Sequence, residues 1–202
     1  MAYADNVFIN CPFDEQYKPL FDAIVFTVFD AGFVARCALE ISDSAQNRLE
    51  KIMDLVLDSR YGIHDISRTE LGKDKLPRFN MPFELGLFVG CKKYGSHRIH
   101  RSKACLILDR DPYRYQKFLS DIAGQDISSH NKRPKKAILE VRNWLKTVSR
   151  RQNIPGGEEI WKRYRRFQKK LPDICAEMRI GVHELTFIDY MEFVSQWLKA
   201  NS

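Results

Sequence analysis

The chain alternates between short apolar runs and segments in which apolar residues recur every three or four positions. Short apolar runs are typical of buried strands, and the three-to-four spacing is typical of helices that bury one face. Repeated strand–helix units indicate crossover connections, a parallel sheet and helices on both of its faces. The first half therefore predicts a doubly wound α/β fold. The predicted strands span residues 7–10, 33–39, 60–66 and 104–109, and the predicted helices span residues 17–29, 49–57 and 82–91.

The pattern changes in the second half. Residues 111–182 contain no convincing strand, but apolar residues between 137 and 148 recur at helical period. The run ELTFI at 184–188 predicts a fifth strand, and residues 190–200 predict a closing helix with Asp189 as its N-cap. The sequence thus predicts a single domain over 1–202. Its core is expected at 5–110 and 184–200, and a helical insertion is expected at 111–182, before the last strand.

Composition limits the setting and the partners. The 202 residues include no apolar stretch of the roughly 18 to 20 residues that a membrane span needs, and no leader-like start. Five widely spaced cysteines suit reduced thiols, so a cytoplasmic protein with no membrane partner is expected. The net charge of +7 is uneven, with −5 over residues 1–90 and +12 over residues 91–202. The basic half suits an acidic partner, a phosphorylated ligand or simply solvated helices.

The most basic segment is residues 162–170, where six of nine side chains are Lys or Arg. Basic side chains interleaved with aromatic ones are typical of nucleic-acid contacts. However, Ile160, Tyr164, Phe167 and Leu171 follow helical spacing, which favours an amphipathic helix with a solvated basic face. Nucleic acid is therefore not the expected partner.

Candidate chemistry is restricted by the fold, because parallel sheets bind ligands outside the carboxyl ends of their strands. The chain has no GxGxxG motif, no P-loop motif, no CxxC pair and no histidine cluster, so no cofactor and no metal are predicted. Asp43 and Ser44 precede the second helix, where they either cap it or hold a phosphate. The polar residues that leave the other strands are Asn10, Asp65, Ser67 and Arg68, and Asn80 begins the segment that carries Glu84.

Two acidic residues have both a structural and a chemical interpretation. Glu84 lies among apolar residues, where desolvation would raise the pKa of an unpaired carboxyl. Alternatively, Glu84 is a first-turn acid that interacts with the helix dipole or pairs with Arg68 or Arg78. Asp65 either bonds to the backbone of the following loop or, with Ser67 and Arg68, orients hydroxyls and a phosphate.

These segments resemble a known family. The strand end HDIS at 64–67, followed by NMPFELG at 80–86, resembles the Asp-containing strand and the N-x-x-x-E-x-G helix start of nucleoside 2-deoxyribosyltransferase-like proteins. That superfamily is structurally close to TIR domains, and the opening segment VFINCPF at 7–13 also resembles both groups. The likeness covers roughly residues 5–110, with 184–200 as the last strand and helix.

The resemblance implies a flavodoxin-like sheet of order 2-1-3-4-5 and chemistry at the N-glycosidic bond of NAD or a related nucleotide or nucleoside. Glu84 would be the essential carboxylate, Asp65 would help bind the nucleoside, and Asn10, Asp43, Ser44, Ser67, Arg68 and Asn80 would complete the substrate site. NAD would be a substrate and not a cofactor. Hydrolysis, transfer and cyclisation stay open, as does a non-catalytic nucleotide sensor or TIR-like interaction module. By analogy, a homo-oligomer and a bacterial defence or toxin role are expected.

Overall fold

The computed structural model describes residues 3–40, 45–69 and 79–201. Its described strands form one five-stranded sheet in which every neighbouring pair is parallel, with the order β2-β1-β3-β4-β5. The predicted doubly wound α/β class and the order 2-1-3-4-5 are therefore confirmed. The strands are β1 (Asn6–Asn10), β2 (Val34–Arg36), β3 (Tyr61–Asp65), β4 (Ala104–Asp109) and β5 (Ile127–Ser129).

Helices cover both faces of the sheet. On one face, α1 and α4 pack together, and α5 and α6 pack outside them in the same hydrophobic cluster. On the other face, α2 and α3 pack against each other and bury Phe8 and Phe88 beneath them. The helices are α1 (Lys18–Asp30), α2 (Arg48–Leu57), α3 (Asn80–Tyr94), α4 (Pro134–Ser149), α5 (Gly157–Glu177) and α6 (Phe187–Ala200).

The side chains of β3 alternate between these two faces, as the period of a strand requires. Tyr61 and Ile63 belong to the cluster under α1 and α4, whereas His64 contacts the rings of Phe8 and Phe88 on the α3 face. By the same alternation Asp65 points toward α1. The alternation of this strand therefore decides which helices can contact its terminal carboxylate.

The predicted fifth strand is wrong. Residues 184–188 end a short 3-10 turn and begin α6, whereas the fifth strand is β5 at Ile127–Ser129. Thr186 caps α6, because its Oγ1 accepts from the Asp189 backbone N–H at 3.2 Å and the Asp189 carboxylate accepts from the Thr186 backbone N–H at 3.0 Å. This reciprocal capping outweighs the strand-like apolar composition of the segment. Asp189 is thus the third helical residue and not the N-cap.

The predicted insertion at 111–182 is also corrected. It contains the last strand, and α4 and α5 follow that strand instead of preceding it. Ala137, Ile138 and Val141 of α4 are fully buried in the main cluster, so α4 covers the sheet as a core helix. The physical reason for the error is that β5 is three residues long at the sheet edge and has a single apolar side chain, which leaves no periodic signal.

The basic segment belongs to α5, as the amphipathic interpretation predicts. Ile160, Tyr164, Phe167 and Leu171 are buried against the main cluster, and the basic side chains lie between them. Within the described residues, no helix is both long enough and apolar enough to span a membrane.

Candidate functional site

The carboxyl edge of the sheet gathers polar side chains from β1, β3 and β4. The register aligns these strand ends, because Asn10 pairs with His64 and Asp65 pairs with Leu108. Asn10, Asp65 and Asp109 are all buried there, although they are polar. A buried polar group needs partners, so the contacts of these side chains determine what each can do.

Asp65 is fully buried and surrounded by donors. Its Oδ2 accepts from the Tyr17 hydroxyl at 2.7 Å, and its Oδ1 accepts from the Ser67 backbone N–H at 2.8 Å. His130 Nε2 lies 3.0 Å from Oδ2, although the approach is too oblique for a hydrogen bond. The geometry therefore shows that Asp65, at the end of β3, anchors the backbone of the loop that follows it. A sugar hydroxyl would have to displace one of these neighbours to reach Asp65.

The two rings beside Asp65 each have a polar atom in a hydrogen bond with a neighbouring group. His130 Nδ1 accepts from the Lys132 backbone N–H at 2.9 Å, so Nδ1 carries no proton, and Nε2 lies 3.0 Å from Asp65 Oδ2. Burial, and next the Asp65 charge, hold the pKa of Tyr17 well above its usual value. Tyr17 therefore keeps its proton and donates a hydrogen bond to Asp65.

Glu84 lies on the opposite face of the sheet edge, in the second turn of α3. Its side chain is 7 % exposed, and no described residue donates a hydrogen bond or forms an ion pair with it. Burial raises the pKa of Glu84 from 4.5 to about 7, partly offset by the charge of Arg48. The carboxyl is thus poised near neutral pH, where it exists in both protonation states.

Asn10 connects β1 to the start of the Glu84 helix. Its Nδ2 donates to the Met81 carbonyl at 2.9 Å and lies 3.1 Å from His64 Nδ1. Burial, and next the charge of Lys103, lower the pKa of His64 to about 3, so its ring is neutral and Nδ1 is the acceptor. Asn10 is therefore a positioning residue for the first turn of α3.

Cys11 follows Asn10 and is buried where the charges of both acidic residues act on it. Burial raises the pKa of its thiol well above the usual value, and the charges of Asp65 and Glu84 both add to this shift. The fields of both carboxylates thus reach one buried side chain, although Asp65 and Glu84 approach the edge from different faces. The structure brings the two predicted acids to one edge without placing them in a shared hydrogen-bond network.

The remaining predicted residues are spread over this edge. Ser67 and Arg68 line a pocket on the α1 face, together with Tyr17 and His130. Asn80 is exposed at the first position of α3, one turn before Glu84. Asp43 and Ser44 lie outside the described residues, and the N-cap of α2 is Asn47, whose side chain accepts from the Leu49 backbone N–H at 2.8 Å.

Asp109, the last residue of the fourth predicted strand, extends the edge toward β5 together with Arg114, which was not predicted from the sequence. Arg114 Nη2 lies 2.6 Å from Asp109 Oδ1 and donates to the Ser67 carbonyl at 2.7 Å, which holds the loop after β3. Asp109 Oδ2 is buried without a partner among the described residues, and burial raises the pKa of this carboxyl. The contact of Arg114 with Asp109 could not be predicted, because a separation of five residues matches neither helical nor strand periodicity.

Tyr17 and His130 were missed for a different reason. Tyr17 read as the first residue of an amphipathic helix, and His130 follows a strand that has no apolar pattern. Only the identification of β5 as a strand would have placed His130 at the carboxyl edge, through the same rule that selected Asp65. In the described part of the chain, no group of three or more His, Cys, Asp or Glu side chains is arranged to hold a metal ion.

Comparison with known proteins gives no family for the chain, so a proposal of its function rests on the geometry of the site. No protein-family model matches the chain, and no curated protein matches it.

Proposed function

We propose that this protein cleaves the N-glycosidic bond of NAD or a related nucleotide or nucleoside, with Glu84 as the essential carboxylate. The observation that carries the proposal is the state of Glu84. It is a buried carboxyl at the ligand-binding edge of the sheet, without a described hydrogen-bond partner and with its pKa raised to about 7. A structural acid is normally paired, whereas a reactive acid is kept unpaired and near the working pH.

The chemistry follows from charge development. As the bond between the anomeric carbon and the base nitrogen breaks, its electron pair leaves with the base, and positive charge develops on the sugar. An ionised Glu84 stabilises this oxocarbenium-like centre or attacks it covalently, and water or another acceptor then takes the sugar. Asp65 contributes negative field from the other face, while Tyr17 and Ser67 hold it in place.

The direct test measures base release from NAD and from several nucleosides by chromatography. Wild type is expected to release base, and Glu84→Gln is expected to reduce the rate by about a hundredfold or more, which is the usual scale for a lost acid–base group. Glu177→Gln is the matched control, because Glu177 is 72 % exposed on α5 and far along the chain from the edge. Full activity in Glu84→Gln, or no release by wild type at any protein concentration, would refute the proposal.

A second function, a non-catalytic nucleotide sensor or TIR-like interaction module, is favoured by one observation. Asp65 already has protein donors on both oxygens, so it is not free to bind a ribose as it stands. Ligand binding with no base release, and with equal affinity in wild type and Glu84→Gln, would support the sensor over the enzyme.

We also propose that the protein works as a homo-oligomer. Phe79 and Phe83, on either side of the first turn of α3, are 66 % and 54 % exposed, and Leu49, Met53 and Leu57 form an exposed apolar stripe on α2. A second copy covering this α2–α3 surface would bury apolar area directly beside Glu84. Sedimentation of wild type and Phe83→Ser over a range of concentrations tests this, and the absence of any association in wild type would contradict it. A bacterial defence or toxin effector is the setting proposed by analogy for such an activity.

A further inference from the structure

A pocket of about 160 Å³ opens on the α1 face of the sheet edge, beside Asp65. It is bounded by the segment after β1, the loop after β3 and the loop between β5 and α4. Three cations line it, namely Arg68, Arg110 and Lys132, and none of its described lining residues is a carboxylate. A small concave site with three positive side chains favours an anionic ligand.

Two of the cations, Arg68 and Arg110, are oriented by hydrogen bonds to neighbouring side chains. Arg68 donates from Nη2 and Nε to the Asp14 carboxylate, at 2.7 and 3.1 Å, and from Nη2 to the Gln16 side chain at 3.1 Å. Arg110 Nε donates to Asp111 at 2.8 Å. Because Asp14 is not among the lining residues, it orients the Arg68 guanidinium group without occupying the pocket. Such preorganisation lowers the entropic cost of binding an anion.

The third cation is held through the backbone. Asn131 and Lys132 both have positive φ angles, of 50° and 56°, which non-glycine residues rarely adopt. The Lys132 backbone N–H donates to His130 Nδ1 at 2.9 Å, so the loop is tied to the Asp65 neighbour. The hydrogen bond from Arg110 lowers the pKa of Asp111, and the charges of Arg110, Arg114 and Lys132 add to this lowering, so Lys132 lies near the same carboxylate as Arg110.

The remaining lining limits the size and type of the ligand. Pro19, Leu20 and Pro134 add apolar surface, and the polar atoms of Tyr17 and His130 already face Asp65 or the backbone. The volume of about 160 Å³ is sufficient for a phosphate or a diphosphate group.

We propose that this pocket binds the phosphate or diphosphate group of a nucleotide. The inference deepens the proposed function, because it makes the substrate a phosphorylated nucleotide in preference to a bare nucleoside. Anion binding by the pocket does not depend on the proposed function, whereas the identity of the ligand as a nucleotide rests on it. Ser67 lines the pocket and lies two residues after Asp65, so the anion would be held beside Asp65, at the same carboxyl edge of the sheet as Glu84.

The test is calorimetric titration with pyrophosphate, ADP, AMP and adenosine. Wild type is expected to bind pyrophosphate and ADP, with ADP at least tenfold tighter than adenosine. Lys132→Gln and Arg68→Gln are each expected to weaken both anions about tenfold or more, the scale of a lost charge-assisted contact. Lys135→Gln is the matched control, because Lys135 is three residues away, is 44 % exposed, pairs with Glu158 and does not line the pocket. Its affinity is expected to equal that of wild type.

Thermal melting of each variant separates lost binding from misfolding. Arg68→Lys is a further check, because it keeps the charge and is expected to bind pyrophosphate better than Arg68→Gln. Equal affinity in Lys132→Gln and Lys135→Gln, no preference of ADP over adenosine, or binding only to a single-stranded oligonucleotide would each overturn the inference. Glu84→Gln is expected to bind pyrophosphate as wild type does. Failure of catalysis with intact pyrophosphate binding would therefore refute the proposed reaction and leave the anion site standing.

Discussion

The two carboxylates at the carboxyl edge of the sheet differ in how they are accommodated. Asp65 is completely buried on the α1 face and has donors on both oxygens, whereas Glu84 is almost as buried on the α3 face and has no described donor. Burial alone therefore does not distinguish a structural acid from a reactive one. The number of donors around each carboxylate does, because donors replace the water that burial removes.

The same isosteric change, carboxylate to amide, is expected to have opposite effects at the two positions. Asp65→Asn should destabilise the protein by about 3 kcal/mol at pH 7, since one partner of a buried charged network is lost and Tyr17 and the Ser67 N–H lose an acceptor. Urea unfolding measures the change. If Asp65→Asn lowered the free energy of unfolding by less than Tyr17→Phe does, the stability of this hydrogen-bond network would not depend on the Asp65 charge.

Glu84→Gln is expected to stabilise the protein, and more so as the pH rises. The folded pKa of about 7 lies above the ordinary value of 4.5, so the folded state binds more protons than the unfolded state between these values. Stability in wild type therefore falls from about pH 4.5 to about pH 7, and the Glu84 part of this loss is on the order of 3 kcal/mol.

Urea unfolding of wild type and Glu84→Gln from pH 5 to pH 8 isolates this effect. The other carboxyls whose pKa burial raises, those of Asp22, Asp30 and Asp109, are present in both proteins. The gap between the two free energies of unfolding should widen with pH and level off above about pH 7. A gap that stays constant with pH would mean that Glu84 is paired or already ionised.

Asn10→Ala tests the connection that holds the Glu84 helix. The change leaves the Met81 carbonyl and His64 Nδ1 without their amide partner, which should cost about 2 kcal/mol. Because Asn10 positions the first turn of α3, base release should fall while pyrophosphate binding is unchanged. Equal loss of both would show that Asn10 supports the whole edge and not the Glu84 face alone.

Tyr17→Phe should have the smallest effect. It removes one donor from Asp65 and leaves the Ser67 N–H in place, so we expect a loss of about 1–2 kcal/mol in unfolding free energy. Combining Tyr17→Phe with Asp65→Asn should give less than the sum of the two losses, since both remove the same hydrogen bond. Additive losses would contradict a shared network.

The first four strands and their helices could be predicted from the sequence because their apolar periodicity is strong. The strand-end rule also found Asn10, Asp65, Ser67 and Arg68, and desolvation of Glu84 followed from its apolar neighbours. The fifth strand could not be predicted, because a three-residue edge strand buries little and Thr186 and Asp189 make a strand-like run into a helix start. His130 was missed for the same reason.

The sequence by itself determined the fold class and the edge of the sheet where polar side chains meet, because both follow from local periodicity and from the position of polar residues after strands. Only the tertiary structure decided how those side chains are partnered. Tyr17, His130 and Lys132 are 48, 65 and 67 positions from Asp65, and no local pattern encodes contacts over such separations. Whether a buried acid is neutralised, anchored or left reactive depends on those distant donors, which the packing of α1, β5 and α4 brings to one side of the sheet and not to the other.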